Sequence, residues 1–111
     1  EIDAATLAFA RENLARAGYT DVLLVHGDGG LWDPEHAPYD RICVTAACPE
    51  VPPPLIEQLA PRGRLIAPII EGARQRLTLV ERTVRGVSGK CLADVLYVSL
   101  RGRYALGGGP R

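Results

Sequence analysis

Apolar positions along this chain follow two different periods. Leu7, Ala10, Leu14 and Ala17 recur every three or four residues, the spacing of one helical face. Asp3 stands just before them as a side-chain N-cap, and Glu12 and Arg16 lie one turn apart with the acid first. Gly18 then supplies a residue that turns left-handed without strain, so the pattern predicts a helix from Ala4 to Ala17. Beyond it the apolar residues come in short unbroken runs bounded by Gly, Pro and Asp, as in strands buried on both faces. Val22–Val25 is one and Ile42–Val44, with Cys43 buried inside it, is the second; Arg64–Pro68 reads as the next strand. Pro52-Pro53-Pro54 introduces a short helix from Leu55 to Leu59, which Pro61-Arg62-Gly63 ends. Residues 31 to 39 read as a loop, since Pro34 and Pro38 interrupt any helix there. Leu77–Val84 alternates in part, as a strand nearer a sheet edge does. Gly86 to Gly89 reads as a turn and Val95–Leu100 as the returning strand, and with no room for a helix between them the pair is expected to be antiparallel. The predicted order, α-β-β-α-β-β-β, describes an α/β sheet, mostly parallel, with a C-terminal antiparallel hairpin and one reversed strand near its edge.

Composition narrows the class without changing that picture. In 111 residues, 47% are hydrophobic and 23% charged, values of an ordinary globular domain. Thirteen basic and thirteen acidic side chains cancel, which argues against the basic stripe of a nucleic-acid binder. No apolar run approaches the length of a membrane span, and there is no charged-then-apolar leader. Three cysteines, Cys43, Cys48 and Cys91, without a C-x-x-C spacing, read as reduced thiols of a cytoplasmic protein. The sequence opens on Glu1 and contains no Met, so the expectation is a fragment of a longer chain.

Candidate chemistry gathers at strand ends. Ligands of open α/β sheets bind outside the carboxyl ends of the strands, and Thr45-Ala46-Ala47 follow the Ile42–Val44 run. His26-Gly27-Asp28-Gly29-Gly30 follows the Val22–Val25 run with an acid among glycines, which is also a common turn composition. His26 and His36 lack metal-ligand spacing, and no metal site is expected.

Taken together, Glu1-Ile2-Asp3, Ala10-Arg11-Glu12-Asn13-Leu14, His26-Gly27-Asp28-Gly29, Ala37-Pro38-Tyr39-Asp40, Val44-Thr45-Ala46-Ala47, Gln58-Leu59, Gly63-Arg64-Leu65 and Ala67-Pro68 carry a resemblance in their order and spacing. The chain resembles the protein-L-isoaspartate O-methyltransferase family, Rossmann-like enzymes dependent on S-adenosylmethionine, from Glu1 to about Tyr104. The resemblance implies that residues 1–104 are a partial methyltransferase domain lacking its N-terminal strands, with 105–111 a flexible tail. It also implies a cofactor site. Glu1 would accept from the ribose hydroxyls and Ile2 would face the adenine. Asp28 would accept from the adenine amino group, with Gly29 letting backbone approach the base. Thr45 and Ala46 would leave room for the sulfonium end and for the substrate carboxylate. No residue in this stretch is singled out as catalytic.

The implied reaction is methyl transfer to the free carboxylate of isoaspartyl residues in damaged proteins, with neither nucleic acid nor membrane as partner. The glycine-rich cofactor loop and the substrate-side serine of the family are not in this sequence. The resemblance further implies that two strands absent here lie between the Val22–Val25 and Ile42–Thr45 strands, a gap of roughly 14 Å. The 111 residues alone are therefore expected to be inactive and loosely folded. Three positions depart from the pattern: Ser99 stands where Pro is frequent, Arg62 where a second Gly is usual, and Ile69–Gly72 where the turn is richer in glycine. A carboxyl methyltransferase of a peptide natural-product pathway, a nicotinamide-dependent oxidoreductase and a non-catalytic remnant are the rival readings.

Overall fold

The computed structural model describes residues 1–31 and 33–107; the tail proposed for 105–111 therefore lies outside the described residues from 108 onward. Helix α1 spans Ala4–Arg16. The Asp3 carboxylate accepts from the Thr6 amide at 2.9 Å and from the Thr6 hydroxyl at 2.7 Å, so one side chain satisfies a free N–H of the first turn. Arg16 donates to Glu12 at 3.0 Å, and Gly18, at φ +84°, turns the chain away. Strand β1 is Tyr39–Cys43, helix α2 is Pro53–Glu57, and β2, β3 and β4 are Leu59–Glu71, Arg74–Thr83 and Gly86–Val95.

These strands form one four-stranded sheet in the order β1-β2-β3-β4. β1 and β2 are parallel, whereas β3 is antiparallel to both of its neighbours and so is the one reversed strand. The core lies on one face, where Leu59, Leu65, Ala67 and Val80 of the sheet meet Leu55 of α2 and Cys48. Arg82 ties α2 to the sheet by donating to the carbonyls of Leu59 (2.8 Å) and Glu57 (3.3 Å), groups that the helix end leaves free.

Several expectations need correction. Residues 22–25 form no strand, and Val22, Leu23 and Val25 are exposed. Their apolar run is strand-like, but a strand exists only where a neighbour supplies its hydrogen bonds. Only the end of the run finds one: the Glu1 nitrogen donates to the Val25 carbonyl and the Gly27 amide to the Glu1 carbonyl, both at 3.0 Å. Cys43 is exposed rather than buried, because β1 is the outermost strand and that side of it carries no covering layer among the described residues.

The last strand lies earlier than its apolar residues suggest. β3 and β4 turn at Val84-Arg85, with Thr83 paired to Gly86, and Ser88, Gly89 and Lys90 are ladder residues. β4 is an edge strand exposed along nearly all its length, so it needs no apolar run to be stable. Gly86 at φ +123° marks the end of the turn rather than its start. Helix α2 also begins two residues earlier than expected, at Pro53, since proline suits a first helical turn.

Candidate functional site

The site is built on the segment immediately after β1. Val44 donates to Ile66 (2.9 Å) and Cys48 to Pro68 (3.0 Å), which keeps this stretch beside β2. On the opposite edge Ala47 donates to Val98 (2.7 Å) and accepts from Leu100 (2.7 Å), so a remote segment is seated against it. Ala47 and Cys48, held from both sides, are fully buried, and burial pushes the Cys48 thiol up to about 11. Thr45 and Ala46 precede them at the mouth of a cavity.

That cavity has a volume of about 440 Å³, within the range of small-molecule sites. Ile42 to Ala46 form one wall and Val98 to Arg101 another; Glu1, Ile2, Gly29 and Gly30 contribute from the N-terminal part, and Pro52 and Leu55 from α2. Glu1 and Ile2 are placed by the contacts to Val25 and Gly27 and by His26, whose Nε2 lies 3.2 Å from the Ile2 carbonyl. One oxygen of the Glu1 carboxylate accepts from the Asp3 amide at 2.8 Å, leaving the other for a ligand.

The structure thus brings Glu1, Ile2, Gly29, Thr45 and Ala46 to one cavity and leaves Asp28 out of its lining. Asp28 instead accepts from the Gly30 amide (2.9 Å) and the Arg103 amide (2.7 Å), joining the glycine turn to the chain's other end. Gly102, at φ +110°, lies so close that a Cβ there would collide with the Asp28 carboxylate. An acid among glycines gives no sign of a backbone partner 75 positions away. Cys43 and the Val98–Arg101 wall were likewise missed; Ser99 stood out only by its departure from the family pattern.

Both histidines have structural partners. His36 lies 2.7 Å from the Asp33 carboxylate, which this hydrogen bond holds below the usual carboxylate range; Tyr39 also donates to it at 3.0 Å. Asp33, Glu35 and His36 bring ligand atoms within 4.8 Å of one another, but none of the three lines the cavity. An open carboxylate, an apolar side chain, glycine backbone and small residues at a strand end fit a nucleoside-bearing cofactor.

Comparison with known proteins agrees with this geometry. Residues 3–105 match the model of the family described as protein-L-isoaspartate(D-aspartate) O-methyltransferase. The protein-L-isoaspartate O-methyltransferase of Methanococcoides burtonii is 48% identical over 97 residues, 86% of this chain and 47% of that protein. The enzyme of the same name from Hyperthermus butylicus is 48% identical over 98 residues, covering 86% of this chain and 41% of its own length. The chain thus spans less than half the length of these relatives. A solved protein-L-isoaspartate O-methyltransferase superposes with a TM-score of 0.85 at 31% identity, over 94% of this chain and 33% of its own.

Proposed function

This chain belongs to the protein-L-isoaspartate(D-aspartate) O-methyltransferase family, and on that premise we propose that its cavity serves methyl transfer from S-adenosylmethionine to the free carboxylate of L-isoaspartyl residues in damaged proteins. The observation that carries the reading is the convergence of Glu1, Ile2, Gly29, Thr45 and Ala46 on one cavity at the end of a parallel strand. Bound there, S-adenosylmethionine supplies a methyl group on a positively charged sulfur.

In this reading the free oxygen of Glu1 accepts from the ribose hydroxyls, and Ile2 covers the adenine. The Gly29 backbone lies against the base, and Thr45 and Ala46 leave space at the reacting end. Asp28 is assigned to the adenine amino group with its remaining acceptor capacity, since an ionised carboxylate has about four lone-pair sites. The acceptor carboxylate is already ionised at neutral pH. Its oxygen bonds to the methyl carbon as the carbon–sulfur bond breaks, and the electron pair stays on sulfur, so no side chain has to move a proton. The chain's work is positioning and exclusion of water. The methyl ester then closes to a succinimide with loss of methanol, and hydrolysis returns part of it as normal aspartate.

The cytoplasm is the proposed compartment, supported by three free cysteines, two of them exposed. No helix among the described residues is long and apolar enough to cross a membrane. The deciding experiment incubates the full gene product with methyl-labelled S-adenosylmethionine and either an isoaspartyl peptide or its aspartyl isomer. A base-labile methyl ester should form on the isoaspartyl peptide alone. No label, or equal labelling of both peptides, overturns the proposal. An independent readout uses the two exposed thiols: S-adenosylhomocysteine should slow alkylation of Cys43, which lines the cavity, and leave Cys91 unchanged. Equal rates at Cys43 with and without it refute the cofactor site.

A further inference from the structure

The Val98–Arg101 wall belongs to no regular strand. β4 ends at Val95, whose partner on β3 is Gln75, and the chain then leaves the sheet. What catches it is the Gln75 side chain. The carboxamide nitrogen donates to the Tyr97 carbonyl at 3.1 Å, and the carboxamide oxygen accepts from the Tyr97 amide at 2.6 Å. One donor and one acceptor on a planar amide reproduce what a neighbouring peptide group would offer, so the side chain prolongs the ladder by two residues. From Tyr97 the chain runs directly into the Ala47 contacts through Val98 and Leu100. Those contacts set Ser99 beside the residues that follow Thr45 and Ala46.

We propose that Gln75 is a positioning residue for the methyl acceptor: by gripping the Tyr97 backbone it sets the Val98–Arg101 wall against which the isoaspartyl peptide lies. This rests on the isoaspartyl methyltransferase reading and adds a residue to it. The proposed cofactor contacts use Glu1, Ile2, Asp28, Gly29, Thr45 and Ala46, none of them on this wall. The wall is joined to Ala47, next to the small residues that face the reacting carbon, so a peptide approaching that carbon runs along it. Two hydrogen bonds from a half-buried side chain hold the segment where β-pairing has stopped. Their loss lets it drift, and a displacement of about 1 Å at a reacting centre is worth about a hundredfold in rate.

The test compares wild type with Gln75→Met, which keeps the side chain's length and loses both bonds, in the full gene product. Peptide KM and kcat, the Kd for S-adenosylhomocysteine and the melting temperature are measured for each. The expected result is a fall in kcat/KM for an isoaspartyl peptide of at least tenfold, with the Kd within twofold of wild type. An active wild type with unchanged kcat/KM in Gln75→Met overturns the inference alone. A parallel loss of cofactor affinity also overturns it, since that is what general loosening produces. If wild type leaves the isoaspartyl peptide unmethylated, the parent reading falls and this one with it. Should Gln75→Met fail to fold, Gln75→Glu decides: it keeps the acceptor for the Tyr97 amide and sets a carboxylate oxygen against the Tyr97 carbonyl. Its kcat/KM should still fall, and an unchanged value overturns the proposal.

Discussion

At residue level the clearest strain is at Arg62, whose φ of 64° is left-handed for a residue with a side chain. The turn it makes is forced by the close approach at its neighbour. At Gly63 a Cβ would sit 2.7 Å from the Ala60 carbonyl oxygen and 3.1 Å from that of Tyr39, so the backbone closes on itself with no room for a side chain. A left-handed conformation costs a residue with a Cβ about 1–2 kcal/mol, and glycine gives back about 0.5–1 kcal/mol in chain entropy. Arg62→Gly should therefore raise stability by about 0.5–1 kcal/mol in urea unfolding. An unchanged or lower midpoint would show that the Arg62 side chain contributes more than its backbone costs. The position stood out in sequence as one where a second glycine is usual, and the positive φ is the reason. Asp28 is the opposite case. Its chemistry was legible, and so was a local turn contact such as the one from the Gly30 amide, but its second backbone partner depends on Arg103 returning to it.

Among the elements, those made by local rules match their sequence signals most closely. Helix α1 has its predicted cap, its predicted ion pair and its predicted glycine stop, because every one of these contacts spans four residues or fewer. The 22–25 run fails for the complementary reason. Its valines and leucines satisfy strand propensity, yet Val22 and Leu23 are 49% and 63% exposed, and the ladder beside Glu1 reaches only Val25 and Gly27. In this 111-residue chain the amides of Val22, Leu23 and Leu24 should lose protection from hydrogen exchange well before those of Leu65, Ile66 and Ala67, which sit in the middle of the sheet. Equal protection in the two stretches would mean that the 22–25 run pairs with another strand in solution. The hairpin shows a third behaviour: antiparallel pairing was predictable from the missing helix, whereas its register was not, because β4 is exposed and carries no apolar pattern to mark it.

For the molecule as a whole, the sequence by itself determined the α/β class, helix α1, the parallel run into Thr45-Ala46, the reversed strand near the edge and five of the residues that meet at the cavity, Glu1, Ile2, Gly29, Thr45 and Ala46. These follow from periodicity, from turn chemistry and from motif order, all of which are written along the chain. Tertiary structure decided the rest. It placed the turn at Val84-Arg85, exposed Cys43 on an outer strand and gave Asp28 to the backbone of Arg103. It also brought Val98–Arg101 to the cavity through Gln75 and Ala47. The physical reason is common to all of these. A side chain's propensity is a local quantity, but hydrogen-bond partners and burial are set by which distant segment arrives next to it.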